Sequence, residues 1–258
     1  MAVSLVPKES LYVWEPDPAR SDYRMTIFES SELLFFAENR NDRIPKFGVF
    51  HGLNDDLMQP NRGFETHPHS NMEIVTYVVD GELTHKDSMG ISENLGRGSI
   101  QFMTTGTEVR HSEYNDDDET PLRFIQMWIT PRKQGLKPNY CSYRCGRCSE
   151  AKDKWVQMVS SMESEADAKA RVNQDVNIYV TELSEAGKKL DLDFGPDRQV
   201  YMMVIERSVT VDLEGASAAK LNQQDGAEIV SKSARTEKLG FSAVEGPAHV
   251  LVVEMALA

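Results

Sequence analysis

Short apolar runs punctuated by turn residues dominate this chain, a texture that predicts β-strands rather than helices. In the first half the runs fall at Leu33–Ala37, Lys46–His51, Met72–Val79, Glu82–Asp87, Ser99–Thr104 and Leu122–Ile129. Asp80-Gly81 sits between two of them and reads as a two-residue hairpin turn, since both residues tolerate positive φ. Gly96 and Gly98 mark another turn. A second block follows, at Asn177–Leu183, Leu190–Phe194, Val200–Leu213, Lys238–Val244 and Ala248–Met255, separated by Gly187, Gly195-Pro196, Gly215 and Gly246-Pro247. From Pro131 to about Arg171 the composition changes. Residues 161–171 there are rich in helix formers with charges at helical spacing, which predicts a short surface helix. The expected fold is mainly β, two small antiparallel barrels or sandwiches joined by a linker. Residues 1–135 would form the N-terminal domain, 136–175 the linker with its helix, and 176–258 the C-terminal domain.

Charge narrows the classes of partner. The 258 residues carry 41 acidic against 28 basic side chains, a net charge of −13. Such a surface repels phosphate backbones and anionic lipid, so direct nucleic-acid binding and membrane binding are not expected. Binding to another protein stays open. The first residues lack a basic stretch followed by an apolar one, and no run approaches the roughly 18 apolar residues of a membrane span. A cytoplasmic protein is expected, with the nucleus open for a eukaryotic source. Three cysteines, Cys141, Cys145 and Cys148, are an odd number in one cluster and do not make a disulfide framework. Their C-x3-C-x2-C spacing is one used for iron–sulfur clusters, but the surrounding sequence does not resemble the βα barrel where that spacing works. They are expected to be linker residues without metal.

The strongest chemical signal is a pair of short motifs, His67-Pro68-His69 and His111-Ser112-Glu113. Side chains on a strand alternate with a period of two, so both members of each motif face the same way. Two such strands side by side would bring three imidazoles and a carboxylate to one point. That donor set suits iron, manganese, cobalt, nickel, copper or zinc better than calcium or magnesium. A closed structural zinc site usually draws on cysteine, and none lies near. An open, catalytic type of site is expected. Glu73 shares strand parity with the first motif and is a competing carboxylate ligand. His85 could orient a ligand through its ring or simply hold a hairpin. His51 and His249 are expected to be structural.

These residues also carry a family resemblance. The run from Gly63 through His67-Pro68-His69 and Glu73 to Asp80-Gly81 resembles the first motif of the pirin family. The stretch Met103-Thr104-Thr105-Gly106-Thr107-Glu108-Val109-Arg110-His111-Ser112-Glu113-Tyr114 resembles its second, and His85-Lys86-Asp87-Ser88-Met89-Gly90 keeps the usual spacing between them. The resemblance is specific from about Asn54 to Thr130 and mainly architectural beyond. It implies a bicupin fold and one metal, iron in the first instance, held by His67, His69, His111 and Glu113, with Glu73 outside the ligand set. Two departures stand out. Glu108 occupies a place where the family usually has glycine, which would add negative charge at the pocket mouth. The upstream segment Glu32-Leu33-Leu34-Phe35-Phe36 lacks a histidine often found there. The second half has only His249 and no paired ligand motif, so a metal-free C-terminal barrel is expected.

Some members of that family are similar to quercetin 2,3-dioxygenases, and others are redox-sensitive partners of transcription factors or metabolic enzymes. The resemblance therefore implies a mononuclear metal dioxygenase acting on flavonol-like aromatics with dioxygen. Glu113 would also serve as a proton acceptor, and Phe64, Met103, Gln126 and Trp128 are candidate pocket residues. The alternative is a metal-dependent regulator that acts through a protein partner. A sugar- or small-molecule-handling isomerase, as in other cupins, is a third reading.

Overall fold

The computed structural model describes residues 2–11, 13–14, 26–30, 47–145, 150–213, 218–231 and 233–257. Apart from one 3-10 turn at Lys8–Ser10, the regular structure among them is strand. In chain order the first strands are β1 Ala2–Val6, β2 Val13–Trp14, β3 Thr26–Ser30, β4 Phe50–Met58, β5 Arg62–His69, β6 Glu73–Asp80 and β7 Glu82–Asp87. Next come β8 Ser92–Gly96, β9 Ile100–Thr104, β10 Val109–Asn115, β11 Leu122–Ile129, β12 Asn139–Tyr143, β13 Val156–Ser161 and β14 Ala170–Val172. The last six are β15 Val176–Leu183, β16 Lys189–Phe194, β17 Arg198–Leu213, β18 Ala219–Asn222, β19 Gly226–Val230 and β20 Glu237–Ala256.

The chain divides into two units, one of Leu11–Cys148 with Lys169–Gln174, the other of Met1–Ser10, Ser149–Ala168 and Asp175–Ala258. These divisions interleave along the sequence. Strand β1 pairs with β19, which ties the N-terminus to the C-terminal unit.

In the first unit one sheet has the order β12-β9-β6-β11-β4-β3-β2 and a second has β5-β10-β7-β8. Their inner faces share a core in which Leu83 and Leu95 of the smaller sheet meet Met58, Val78, Leu122 and Phe124 of the larger. Burying such side chains contributes roughly 1.5–3 kcal/mol each. Asp80-Gly81 is not a hairpin turn. Strands β6 and β7 lie in different sheets, and the chain crosses between them there. Gly81 takes φ +77, and a β-carbon would stand 2.6 Å from the Pro121 carbonyl oxygen, so glycine suits both the conformation and the space.

The C-terminal unit carries the order β1-β19-β17-β20-β15-β13, with β16 on β20 and β18 on β17. Strands β17 and β20 are long enough to bend, and their pairing shifts register between Val204 and Val209. Its core is aliphatic and aromatic, with Val200, Met202, Val204, Leu239, Phe241, Val250 and Val252 all buried.

The expected helix over 161–171 is absent: β13 ends at Ser161 and β14 begins at Ala170. Serine hydroxyls capture the backbone instead. Ser161 Oγ accepts from the Glu163 N–H at 3.3 Å, and Ser164 Oγ accepts from the Ala166 N–H at 3.1 Å. Such local turns compete directly with helical bonding. The run Leu33–Ala37, with the departure read at residues 32–36, lies outside the described residues.

Candidate metal centre

Strand β5 is the edge of its sheet, which is where a strand can hold Pro68 without losing a ladder bond. It pairs with β10 so that His67 stands directly opposite His111 and His69 opposite Val109. The three imidazoles converge: ring centroids are 4.7 Å apart for His67 and His69, 4.5 Å for His67 and His111, and 5.0 Å for His69 and His111. One ligating atom from each lies within 4.8 Å of the others. Among the described residues this is the one such cluster.

The nitrogens are prepared for a cation. His67 Nδ1 lies 2.7 Å from the Glu65 carbonyl oxygen. A carbonyl only accepts, so Nδ1 carries the hydrogen and Nε2 presents its lone pair. His69 Nε2 and both ring nitrogens of His111 are buried without a hydrogen-bond partner. Unsatisfied buried polar atoms of this kind are destabilising unless something occupies the site. Burial first, then repulsion from His111 and His67, lowers the His69 pKa to about 3; Glu113 opposes this. For His111, burial followed by repulsion from His67 and His85 lowers it to about 2, with Asp87 opposing. Neutral imidazoles with free lone pairs are the metal-binding form. The donor set therefore fits a divalent transition metal.

Glu113 lies outside the group of ligating atoms within 4.8 Å of one another but close enough to act on His69. The β5–β10 register shifts between His111 and Glu113, a bulge of the kind that re-aims a side chain. Gly63, opposite Tyr114, leaves room for it, because a β-carbon there would collide with the Glu113 carbonyl oxygen and the Tyr114 ring. The Glu113 carboxylate, 1% exposed, reaches across to the larger sheet. Gln126 Nε2 donates to both its oxygens at 3.0 and 2.9 Å, and Gln101 Nε2 donates to Oε1 at 3.1 Å. Gln101, Thr76 and Gln126 lie level on three neighbouring strands, which makes one polar patch.

Glu73 is not near the imidazoles by strand parity, because the parity breaks. Asn71 takes φ +54 after β5, and Glu73 starts β6 in the other sheet. Its buried carboxylate accepts from the Asn173 N–H at 2.9 Å, from the Asn173 amide and from Thr104. Burial raises its pKa, and these hydrogen bonds oppose the rise.

The remaining candidates divide. Trp128 meets His69 edge to face at 4.7 Å, and Phe64 lies 5.9 Å from His67. Met103 is core, packed with Met72, Ile74 and Val109 beside Trp128. Glu108 is exposed, 3.9 Å from the Arg110 guanidinium. His85 is wholly buried and bonds Asp87 at 3.1 Å. Far from the cluster in sequence, His249 is buried, with Nδ1 3.1 Å from Glu206. Cys141 is an exposed free thiol, Cys145 donates its N–H to Ser99 Oγ at 3.0 Å, and Cys148 lies outside the described residues. Gln101, Asp87 and Tyr140 were not foreseen, although a polar residue inside the apolar runs of β9 and β11 is itself a signal.

Two antiparallel β units, with a three-histidine centre on paired strands of the first, define a bicupin with an N-terminal metal site. A family model described as Pirin matches residues 25–129, and one described as the quercetinase C-terminal cupin domain matches residues 157–255. Quercetin 2,3-dioxygenase of Escherichia coli K12 is 33% identical over 206 residues, covering 80% of this chain and 84% of that one. A pirin-like protein of Caulobacter vibrioides is 34% identical over 217 residues, covering 84% and 88%. Among solved structures, Escherichia coli YhhW superposes with a TM-score of 0.83 at 25% identity, covering 100% of this chain and 99% of that one. The bacterial pirin YhhW in complex with nickel(II) gives 0.82 at 24% identity, with full coverage of both chains. The chain belongs to the pirin family. No helix among the described residues is long and apolar enough to cross a membrane.

Proposed function

We propose that this protein is a mononuclear metal-dependent dioxygenase of flavonol-like aromatics, substrates with two adjacent oxygens on an aromatic frame. The observation that carries the reading is the set of three imidazoles with one ligating atom each within 4.8 Å of the others, those of His69 and His111 buried and unpartnered, with no fourth side chain in the cluster among the described residues. Such a site leaves coordination positions open. Relatives named quercetin 2,3-dioxygenase at 33% identity support the same reading. His67, His69 and His111 would hold the metal, Fe(II) in the first instance. Bound there, a divalent transition metal supplies Lewis-acid and redox chemistry toward an oxygen-bearing substrate and dioxygen.

The protein's own groups then have separate tasks. Glu113 is a buried carboxylate close enough to influence His69, and we assign it the role of fourth donor or acceptor of the substrate hydroxyl proton. Gln101 and Gln126 hold it in one orientation, which limits the reorganisation needed when a proton arrives. The Trp128 and Phe64 rings beside the histidines offer flat apolar surface for an aromatic substrate. Glu108, exposed beside Arg110, leaves its charge largely screened by solvent, so it is a weak barrier to an anionic flavonolate.

The test is aerobic incubation of metal-loaded protein with quercetin, following substrate absorbance, oxygen uptake and carbon monoxide release. Turnover with carbon monoxide that is lost in His67→Ala, His69→Ala and His111→Ala is expected. If no flavonol or catechol is consumed with iron, manganese, cobalt, nickel or copper, the proposal is wrong.

A further inference from the structure

His85 and Asp87 have no part in the chemistry above, yet both side chains are 0% exposed and joined at 3.1 Å through His85 Nε2 and Asp87 Oδ2. The other oxygen of Asp87 accepts from the Met89 and Ile91 N–H groups at 2.9 and 3.1 Å. That is the pattern of an ionised carboxylate, which can only accept. His85 Nε2 therefore carries the ring hydrogen, and Nδ1 of the neutral ring keeps a lone pair. That Nδ1 is buried and has no partner. Tyr140 stacks on the ring at 4.8 Å with planes 21° apart, and its hydroxyl lies 3.1 Å from Gln101 Oε1. The ring is thus held on one side by stacking and at one edge by a carboxylate.

Next to it lies His111, with ring centroids 5.6 Å apart and planes inclined 50°. Both nitrogens of His111 are likewise buried and unpartnered. Strand pairing sets this up: β10 lies against β7 with His111 opposite Asp87 and Glu113 opposite His85. When one nitrogen of a neutral imidazole binds a metal, the other carries the hydrogen and needs an acceptor. The unsatisfied acceptor beside His111 is His85 Nδ1.

We infer that Asp87 and His85 form a positioning pair for His111, with Asp87 fixing the tautomer of His85 so that its Nδ1 accepts the N–H of His111 in the metal-loaded protein. The inference rests on the reading of His111 as a metal-holding residue. The pair orients the His111 ring and makes it a stronger donor, so it strengthens metal binding and favours the higher oxidation state of a bound iron. A merely structural His85 would hold the β7–β8 turn through Asp87 and leave metal properties alone.

The two readings separate in two variants. Asp87→Asn keeps an oxygen for the Met89 and Ile91 N–H groups but turns an amide N–H toward His85 Nε2. That drives the ring hydrogen onto Nδ1 and removes the acceptor without opening space. His85→Phe preserves the stack on Tyr140 and deletes the acceptor outright. The experiment titrates the chelator-treated full chain with Co(II), reads the visible absorption of the bound ion, measures the Fe(III)/Fe(II) potential after iron loading, and records melting of the metal-free form. Both variants should bind Co(II) about 10–100-fold more weakly, shift its absorption and raise the iron potential. Co(II) affinity, absorption and potential that match the parent in Asp87→Asn overturn the inference, and that variant decides alone if His85→Phe fails to fold. Weakened affinity with unaltered absorption and potential also overturns it, since loss of fold alone would give that. Flavonol turnover enters none of these readouts. A parent that binds cobalt but leaves quercetin intact therefore removes the dioxygenase proposal and not this one.

Discussion

Acid should strip stability from the metal-free N-terminal unit in a window set by two buried imidazoles. A histidine in the unfolded chain titrates near 6.5, whereas folding holds His69 at about 3 and His111 at about 2. Both folded values lie below the unfolded one, so the unfolded chain binds more protons between about pH 6.5 and 3. Stability contributed by these groups is complete above the unfolded pKa and is lost as pH falls through the window. One proton difference gives about 1.36 kcal/mol per pH unit, so the pair sets a limiting slope of about 2.7 kcal/mol per unit. Integrated from pH 6.5 to 5, the two groups together remove about 3 kcal/mol, a large share of the 5–15 kcal/mol typical of a domain. Urea unfolding in a chelator at several pH values, followed by tryptophan fluorescence, measures this. The comparator is His69→Gln with His111→Gln, which retains every carboxylate and loses the two imidazoles. The parent should lose about 3 kcal/mol more than the double variant over that interval, and added metal should flatten the parent's curve by holding both rings neutral. Parallel pH profiles for parent and variant would refute the reasoning.

Other substitutions have separable outcomes. Gln126→Leu removes donors to both oxygens of Glu113 and leaves a buried carboxylate short of partners, so it should destabilise the fold by about 1–3 kcal/mol in denaturant titration. Glu73→Ala should lower stability by a similar ~1–3 kcal/mol, since it frees Asn173 and Thr104, while the metal content of the loaded protein stays unchanged. Loss of metal in Glu73→Ala with retention in Glu113→Ala would invert the roles assigned to the two carboxylates. Gly81→Ala, at φ +77 and against Pro121 and Leu122, should destabilise by more than ~1 kcal/mol in thermal melts.

The long buried strands were legible because buried β-runs are continuous and apolar: Met72–Val79 and Leu122–Ile129 stand within a residue of β6 and β11, whereas shorter or more polar strands such as β8, β12 and β18 were not. The imidazole cluster was legible too, since two residues apart on a strand means the same face. Parity failed where the chain changed sheet. Glu73 looked aligned with His69, but the Asn71 turn starts a new sheet, and no local pattern reports that. Asp80-Gly81 misled for the same reason. It carries the residues a hairpin turn needs, yet strand partners are chosen by tertiary packing. The bulge that turns Glu113 toward Gln101 and Gln126 was equally hidden, because it depends on Gly63 lying opposite on another strand. Residues 161–171 had helical composition, but their serines found backbone partners first.

Metal content after reconstitution tests the central claim most directly. Chelator-stripped protein is loaded with Fe(II) or Ni(II) under anaerobic conditions, freed of excess and analysed for metal per chain. The three-imidazole centre predicts about one ion per chain in the parent and almost none in the folded His67→Ala, His69→Ala, His111→Ala triple variant. Equal metal in both proteins, or none in the parent with any of the transition metals, would contradict it.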